Sequence, residues 1–99
     1  MRNAAKYRTT DTVYNGDRWR VIGTRRIYQA LYRTVNGVPF WELYRVMTPK
    51  SKPEYVFGGL EQFFGAKLKD FYNTYALKKI RTPKRDRIGP SLFLYGLTH

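Results

Sequence analysis

Cysteine is absent from this 99-residue sequence, and histidine occurs once, as the last residue. A chain without cysteine has no disulfide framework and no thiolate ligand for zinc. A single histidine at position 99 also leaves Cys–His and Ser–His catalysis without a well-placed general base. The lack of cysteine favours a reducing compartment, so we expect a cytoplasmic, intracellular protein.

Long apolar runs and acidic residues are scarce as well. No apolar segment approaches the roughly 20 residues that span a bilayer, and none follows the basic start of the sequence as a signal peptide requires. The 7 Asp and Glu residues lack the close spacing of a Mg²⁺ site, and no phosphate-binding loop is present. We therefore expect no enzymatic activity, metal, cofactor or membrane contact. Among enzymes, a metal-free nuclease is the class that fits these residues best.

Positive charge and aromatic rings are what the sequence does contain. Lys and Arg number 19, which gives a net charge of +12, and aromatic residues make up 17% of the chain. Such an excess of cations opposes compactness, and it favours a polyanion, nucleic acid above all, as a partner. Cations and rings also alternate, as in Arg18-Trp19-Arg20 and Tyr44-Arg45. Alternation of this kind suits a surface that binds phosphates and unpaired bases together, although strand periodicity alone also produces it.

The strongest local pattern is a β-hairpin centred on Asn36-Gly37. Two runs rich in β-branched and aromatic residues, 26–35 and 38–47, flank this pair, and Asn-Gly suits the positive φ angles of a type I′ turn. A two-residue loop pairs Val35 with Val38 and, further from the turn, Tyr32 with Trp41. The predicted core face then carries Tyr28, Ala30, Tyr32, Trp41 and Leu43. The opposite face, expected to meet solvent, carries Gln29, Arg33, Phe40, Glu42 and Tyr44.

An amphipathic α-helix is predicted from Leu60 onwards, where the apolar period changes from two to about 3.6 residues. Gly65 falls inside this pattern and is expected to weaken the helix by about 1 kcal/mol relative to alanine. Lys78, Lys79 and Arg81 are expected at its C-terminal end, where cations complement the helix dipole.

The expected fold class is α+β, an antiparallel sheet of three to four strands with one amphipathic α-helix packed on one face, a basic arm and a C-terminal extension. Further short strands are predicted at 18–23 and 54–57. The organisation predicted along the chain is a basic N-terminal arm (1–12), an α+β domain (13–80), and a basic linker with an apolar C-terminal segment (81–99). That segment either adds a strand to its own domain, which we favour, or docks on a partner.

Candidate binding residues follow from this arrangement. The cations of the sheet, its turns and the linker are predicted to contact phosphates. They are Arg18, Arg20, Arg25, Arg26, Arg33, Arg45, Lys84, Arg85 and Arg87. Phe40 and Tyr44 are candidates for base stacking. Leu92, Phe93, Leu94 and Tyr95 are the residues that would dock on a partner. No residue is predicted to be catalytic or to ligate a metal.

Three functions fit these features. The first is a non-enzymatic nucleic-acid-binding protein that contacts phosphates of DNA or RNA through a basic sheet face and tails. The second is a small regulator or inhibitor, of the kind that phages encode, that binds an acidic surface of a larger nucleic-acid-processing protein. The third is a structural component of a ribonucleoprotein or virion, which uses the chemistry of the first. The sequence leaves the type of nucleic acid, its strandedness and the oligomeric state open.

Overall fold

The computed structural model describes residues 9–46, 52–80, 82–87 and 89–97, and within these ranges the chain forms seven strands and one α-helix. The strands are β1 (Thr9–Tyr14), β2 (Arg18–Val21), β3 (Ile27–Val35), β4 (Val38–Val46), β5 (Glu54–Gly59), β6 (Leu77–Ile80) and β7 (Ser91–Leu97). The helix α1 (Glu61–Thr74) lies between β5 and β6, and a 3₁₀ turn (Lys84–Asp86) precedes β7.

The strands form an antiparallel five-stranded sheet in the order β5-β4-β3-β2-β6 and a separate antiparallel ribbon of β1 and β7. One helix packs on this sheet, so the predicted α+β class is confirmed. The predicted count of three to four strands is wrong, because β1, β6 and β7 join strands that are distant in sequence.

The β3–β4 hairpin has the predicted register throughout. Val35 pairs with Val38 and Tyr32 with Trp41, and the turn residues Asn36 and Gly37 have φ angles of 53° and 78°. The predicted core face is also correct, since Tyr28, Ala30, Trp41 and Leu43 are buried and Tyr32 packs against them. In a hairpin with a two-residue loop, the alternation of side chains along both strands thus assigns each residue to the core face or to the opposite face.

Helix α1 covers that core face with most of the apolar stripe predicted for it, although Leu60 and Phe63, at the start of the predicted pattern, are exposed. Phe64 and Leu68 are fully buried, and the Phe64 ring stacks on Trp41 with a centroid distance of 5.9 Å. Phe71 meets Tyr28 edge-on at 4.8 Å. The helix runs through Gly65 without interruption. The helix has 14 residues. Within the described ranges, no helix is long and apolar enough to cross a membrane.

The helix ends earlier than predicted. Its last residue is Thr74, and Tyr75 has extended dihedral angles (φ −123°, ψ 147°). Lys78 and Lys79 therefore lie on β6, where they pair with β2, and the prediction that they end the helix is wrong. Arg81 lies outside the described residues. A four-residue strand is too short to show its period of two against the helical pattern before it.

The β1–β7 ribbon completes the core. Val13 of β1 and Leu92 and Leu94 of β7 are buried with the sheet residues and with α1. The apolar C-terminal segment thus adds a strand to its own domain, as favoured, but it pairs with β1 rather than with the larger sheet. Residues 9–12, assigned to the basic arm, belong to β1, because their backbone pairs with β7. The rest of that arm, residues 1–8, lies outside the described part of the chain.

Candidate nucleic-acid interface

Among the described residues, no helix or strand covers the face of the five-stranded sheet opposite α1, and we call it the outer face. Its side chains come from all five strands: Tyr55 of β5; Phe40, Glu42, Tyr44 and Val46 of β4; Ile27, Gln29, Leu31 and Arg33 of β3; Arg18 and Arg20 of β2; Lys78 and Ile80 of β6. All of these side chains are exposed or half-buried. This face is therefore a broad surface on which another molecule can lie.

Cations gather on the β2 and β6 half of the outer face. Arg18 and Arg20 project from β2, and Lys78 lies directly opposite Arg20 on β6. Side chains opposite each other on adjacent strands are about 5 Å apart at Cβ, and like charges at that spacing repel. All three side chains are exposed. An anion bound between them would relieve this repulsion.

More cations continue around the end of the sheet at the β2–β3 turn. Two shallow depressions meet there and share Thr24 and Arg25. Arg26 and Arg45 line one depression, and Arg20 and Lys78 line the other. We call the whole group the cationic surface: Arg18, Arg20, Arg25, Arg26, Arg45 and Lys78. Among the described residues, no salt bridge involves any member of this group.

Four described carboxylates form salt bridges, none of them with the cationic surface, although Asp86 lines a shallow depression together with Arg18. Asp11 and Asp17 both bind Lys79, Glu42 binds Arg33 at 3.5 Å, and Asp86 binds Arg85 at 3.9 Å. Glu54 lies opposite Arg45, a member of the cationic surface, on the neighbouring strand β5. The six cations of the cationic surface therefore have no salt bridge among the described residues, and neither do the exposed Lys67 of α1 and Lys84 of the 3₁₀ turn.

The predicted phosphate contacts divide into two groups on this basis. Five of the nine arginines and lysines lie together on the cationic surface, as Arg18, Arg20, Arg25, Arg26 and Arg45. The other four do not join them. Arg33 and Arg85 have carboxylate partners, and Arg87 lies over the Tyr14 ring at 5.0 Å and donates from Nε to the Thr82 carbonyl oxygen at 3.0 Å. Lys84 is exposed on the 3₁₀ turn.

The predicted stacking residues lie on the outer face, but neither is fully exposed. Phe40 is half-buried beside Arg33. The Tyr44 hydroxyl donates a hydrogen bond to Glu42 Oε1 at 3.0 Å, and partial burial together with this bond raises the pKa of Tyr44. The more exposed ring is Tyr55, which meets Tyr44 edge-on at 5.7 Å.

The predicted docking residues divide in the same way. Leu92 and Leu94 are buried in the chain's own core, which leaves them no surface for a partner, and this corrects their assignment. Phe93 points the other way and is 57% exposed. The Tyr95 side chain lies outside the described part of the structure. Alternation along β7 explains the division, since every second residue of a strand faces the core.

A largely buried polar cluster is centred on Lys79, Asp11 and Asp17. The Lys79 ammonium donates to Asp11 Oδ1 at 2.8 Å, to the Thr12 carbonyl oxygen at 2.6 Å and to Asp17 Oδ2 at 3.0 Å. Asp17, only 1% exposed, also accepts hydrogen bonds from the Tyr14 amide and the Thr82 hydroxyl. Burial raises the pKa of Asp17, but the hydrogen bonds from Thr82, Tyr14 and Lys79 outweigh it, so the pKa lies below its ordinary value.

Tyr72 extends this cluster into the aromatic core. Its hydroxyl donates to Asp11 Oδ2 at 2.8 Å and accepts the Trp19 Nε1–H at 2.6 Å. Burial and the Asp11 carboxylate raise the pKa of Tyr72 well above its ordinary value. Each of these buried groups has a partner, as buried polar groups require, and the cluster ties β1, β2, β6 and α1 together. Within the described ranges, no three His, Cys, Asp or Glu side chains are grouped as metal ligands would be.

Sequence reasoning missed two residues of the candidate interface, Lys78 and Tyr55. Lys78 was assigned to the helix, and the order apolar, charged, charged, apolar of Leu77, Lys78, Lys79 and Ile80 gives no alternation that would have indicated a strand. Tyr55 was recognised as a strand residue, but no local signal indicates which face it occupies. Comparison with family models, curated proteins and solved structures finds no match to this chain. Functional inference therefore depends on the chemistry of the surface itself.

Proposed function

We propose that this protein is a non-enzymatic nucleic-acid-binding protein that contacts phosphates through its cationic surface. The observation that supports this most directly is the Arg20–Lys78 pair, two like charges held opposite each other on neighbouring strands with no carboxylate partner among the described residues. Arg18 and the three arginines at the β2–β3 end extend the same surface. Backbone phosphates are the commonest ligands of such cations in nucleic-acid complexes. An intracellular, reducing compartment stays a prediction from the missing cysteine.

Salt dependence of binding tests this function. The affinity of the full chain for fluorescently labelled oligonucleotides of DNA and RNA, single- and double-stranded, is measured by anisotropy over a salt series. If about six phosphates are neutralised, affinity should fall by roughly two and a half to three decades between about 50 and 200 mM salt. Absence of binding to every oligonucleotide at the lowest salt would overturn the proposal.

A matched pair of lysine variants locates the contact. Lys78→Gln removes one charge from the cationic surface, and Lys67→Gln removes the same charge from the exposed side of α1, across the molecule. Lys78→Gln should lower the affinity by roughly threefold to fivefold and reduce the salt slope by about 1, as expected for one phosphate contact. Lys67→Gln should change neither. Equal effects of the two variants would mean that only net charge matters.

The second function predicted from the sequence, binding to an acidic surface of a nucleic-acid-processing protein, would use the same cations. The apolar C-terminal segment gives this function less support than the sequence indicated, because Leu92 and Leu94 are core residues and cannot dock on a partner. We therefore prefer nucleic acid as the partner. A protein that stays bound to the chain after nuclease treatment, and that Lys78→Gln releases, would favour the second function.

A further inference from the structure

The outer face carries an aromatic half beside its cationic half, and this arrangement begins with an irregularity in β5. Between Leu43 and Tyr44 of β4 the register of β5 shifts, so that Leu43 pairs with Phe57 and Tyr44 pairs with Tyr55. Without the shift, Phe57 and Tyr55 would face the same side. A β-bulge of this kind re-aims a side chain. Here Phe57 packs against the core, and Tyr55 lies on the outer face.

Gly58 gives the Tyr55 side chain room on the sheet. A Cβ atom at Gly58 would lie 2.9 Å from the Tyr55 hydroxyl oxygen and 3.0 Å from Glu42 Cγ, closer than such contacts allow. The Tyr55 side chain therefore extends along its own strand over Gly58 and against the backbone. It is nevertheless 55% exposed, with the edge of Tyr44 against it. This is a supported ring with much of its surface open to solvent.

One row of side chains crosses the sheet from this ring to the cations. The strand registers align Tyr55, Tyr44, Gln29, Arg18 and Ile80 in that order across β5, β4, β3, β2 and β6. With strands about 4.8 Å apart, Tyr55 and Arg18 are separated by roughly 14 Å. A nucleic-acid strand that rises about 3.4 Å per nucleotide covers that distance in about four nucleotides.

The negative charge on this face is compensated. Glu42 is the carboxylate of the outer face within the described residues, and its Oε1 binds both Arg33 and the Tyr44 hydroxyl. A phosphate backbone that crosses the row therefore meets Glu42 already paired, and Asp86, which lines a depression beside Arg18 and Ile80, has a salt bridge to Arg85 at 3.9 Å. The cations further along, Arg20 and Lys78, are the next row on β2 and β6.

The shape of the outer face opposes a duplex. Five strands are roughly 19 Å wide from the first to the last, whereas the major groove of B-DNA is about 12 Å wide and admits a helix or a two-stranded ribbon. The free end of the β3–β4 hairpin is narrow enough for the groove, but its described cation is Arg33, which already binds Glu42. Bases in a duplex are also stacked on each other and are not free to stack on Tyr55.

We propose, on the basis of the function proposed above, that the outer face binds single-stranded nucleic acid. Tyr55 stacks on an unpaired base, and Arg18, Arg20 and Lys78 bind the phosphates of the nucleotides that follow. Exposed aromatic rings bind bases of any sequence because every base has a π face, so the expected recognition is of single strands without strong sequence preference.

The test compares oligonucleotides that differ only in their bases. Single strands of DNA and of RNA of about 12 nucleotides are compared with the matching duplexes and with an abasic strand of the same length, which keeps the phosphates and lacks the rings. The wild-type chain should bind the normal single strand roughly 5- to 100-fold more tightly than the abasic strand, and more tightly than the duplex. The separate DNA and RNA arms show which polymer is preferred.

Variants of exposed rings complete the test. Tyr55→Ala should bind the normal and abasic strands equally, Tyr55→Phe should keep the preference for bases, and Phe63→Ala, which removes a 51% exposed ring from α1, should behave as wild type. Circular dichroism confirms that each variant is folded. Equal wild-type affinity for normal and abasic strands, or tighter binding to duplex, would overturn the single-strand proposal while leaving phosphate binding intact. Failure to bind any of the oligonucleotides would instead overturn the proposed function.

Discussion

Replacing Lys79 by methionine should destabilise the fold far more than any substitution of an exposed lysine. The Lys79 side chain is 14% exposed, and all three hydrogens of its ammonium group are donated, to Asp11, Thr12 and Asp17. Asp17 on the other side of the pair is 1% exposed. Methionine retains much of the aliphatic volume but leaves a buried carboxylate without its cation. Breaking a buried pair in this way costs about 3–5 kcal/mol of the free energy of unfolding.

The assay is urea unfolding, followed by the fluorescence of the two buried tryptophans, Trp19 and Trp41. Urea leaves charge interactions unscreened. Lys67→Met serves as the control, because it makes the same chemical change and removes the same charge from an exposed position on α1. A surface substitution of this kind should change the stability by no more than about 0.5 kcal/mol. If Lys79→Met is no more destabilising than Lys67→Met at neutral pH, the assignment of a stabilising buried pair is refuted.

The pH dependence gives a second, independent readout. The folded-state pKa of Asp17 lies below its ordinary value of 3.8: burial raises it, and the bonds from Thr82, Tyr14 and Lys79 lower it by more. A carboxyl group of this kind stabilises the fold above its unfolded pKa, and the stabilisation is lost as the pH falls through its folded pKa. Once Asp17 is protonated it no longer needs a cation. The stability difference between wild type and Lys79→Met should therefore narrow as the pH falls toward the folded-state pKa of Asp17.

Two further substitutions test the packing of the ribbon and of the polar cluster. Leu94→Ala should lower the free energy of unfolding by about 2–5 kcal/mol, because it opens a cavity beneath β7. Phe93→Ala, at an exposed position of the same strand, should lower it by less than about 1 kcal/mol. Equal losses in urea unfolding would contradict the burial of alternate β7 residues. Tyr72→Phe should cost about 1–3 kcal/mol, because the buried Trp19 indole N–H loses its acceptor, and a loss below about 0.5 kcal/mol would show that this hydrogen bond contributes little.

The β3–β4 hairpin and the body of α1 could be predicted because their signals are contiguous. Asn36-Gly37 sets a two-residue turn, the turn sets the register, and the register assigns each side chain of both strands to a face. The apolar stripe of α1, including Phe64 and Leu68, needs only the helical period. In both elements the residues that interact are close in sequence, so their spacing carries the information.

A strand in the C-terminal segment was expected, but the strands β1 and β6 and the pairing partner of β7 were beyond such reasoning. Thr10 pairs with Tyr95, and Arg20 pairs with Lys78, so each strand becomes regular only through a partner from the far end of the chain. The bulge that turns Tyr55 outward is likewise a property of the β4–β5 pairing and not of β5 alone. Propensity cannot reveal a pairing between short segments that are separated by most of the sequence.

Lys78 and Lys79 show which properties of this protein composition determines and which only the tertiary structure determines. Composition alone establishes a large cationic excess without cysteine, and local patterns alone establish the hairpin and the helix. Which cations stay available depends on the pairing of β6 with β2, which turns Lys78 to the outer face and Lys79 inward to Asp11 and Asp17. The reason is physical: successive strand residues face opposite sides of the sheet, and the carboxylates that neutralise Lys79 belong to residues more than sixty positions away in the sequence.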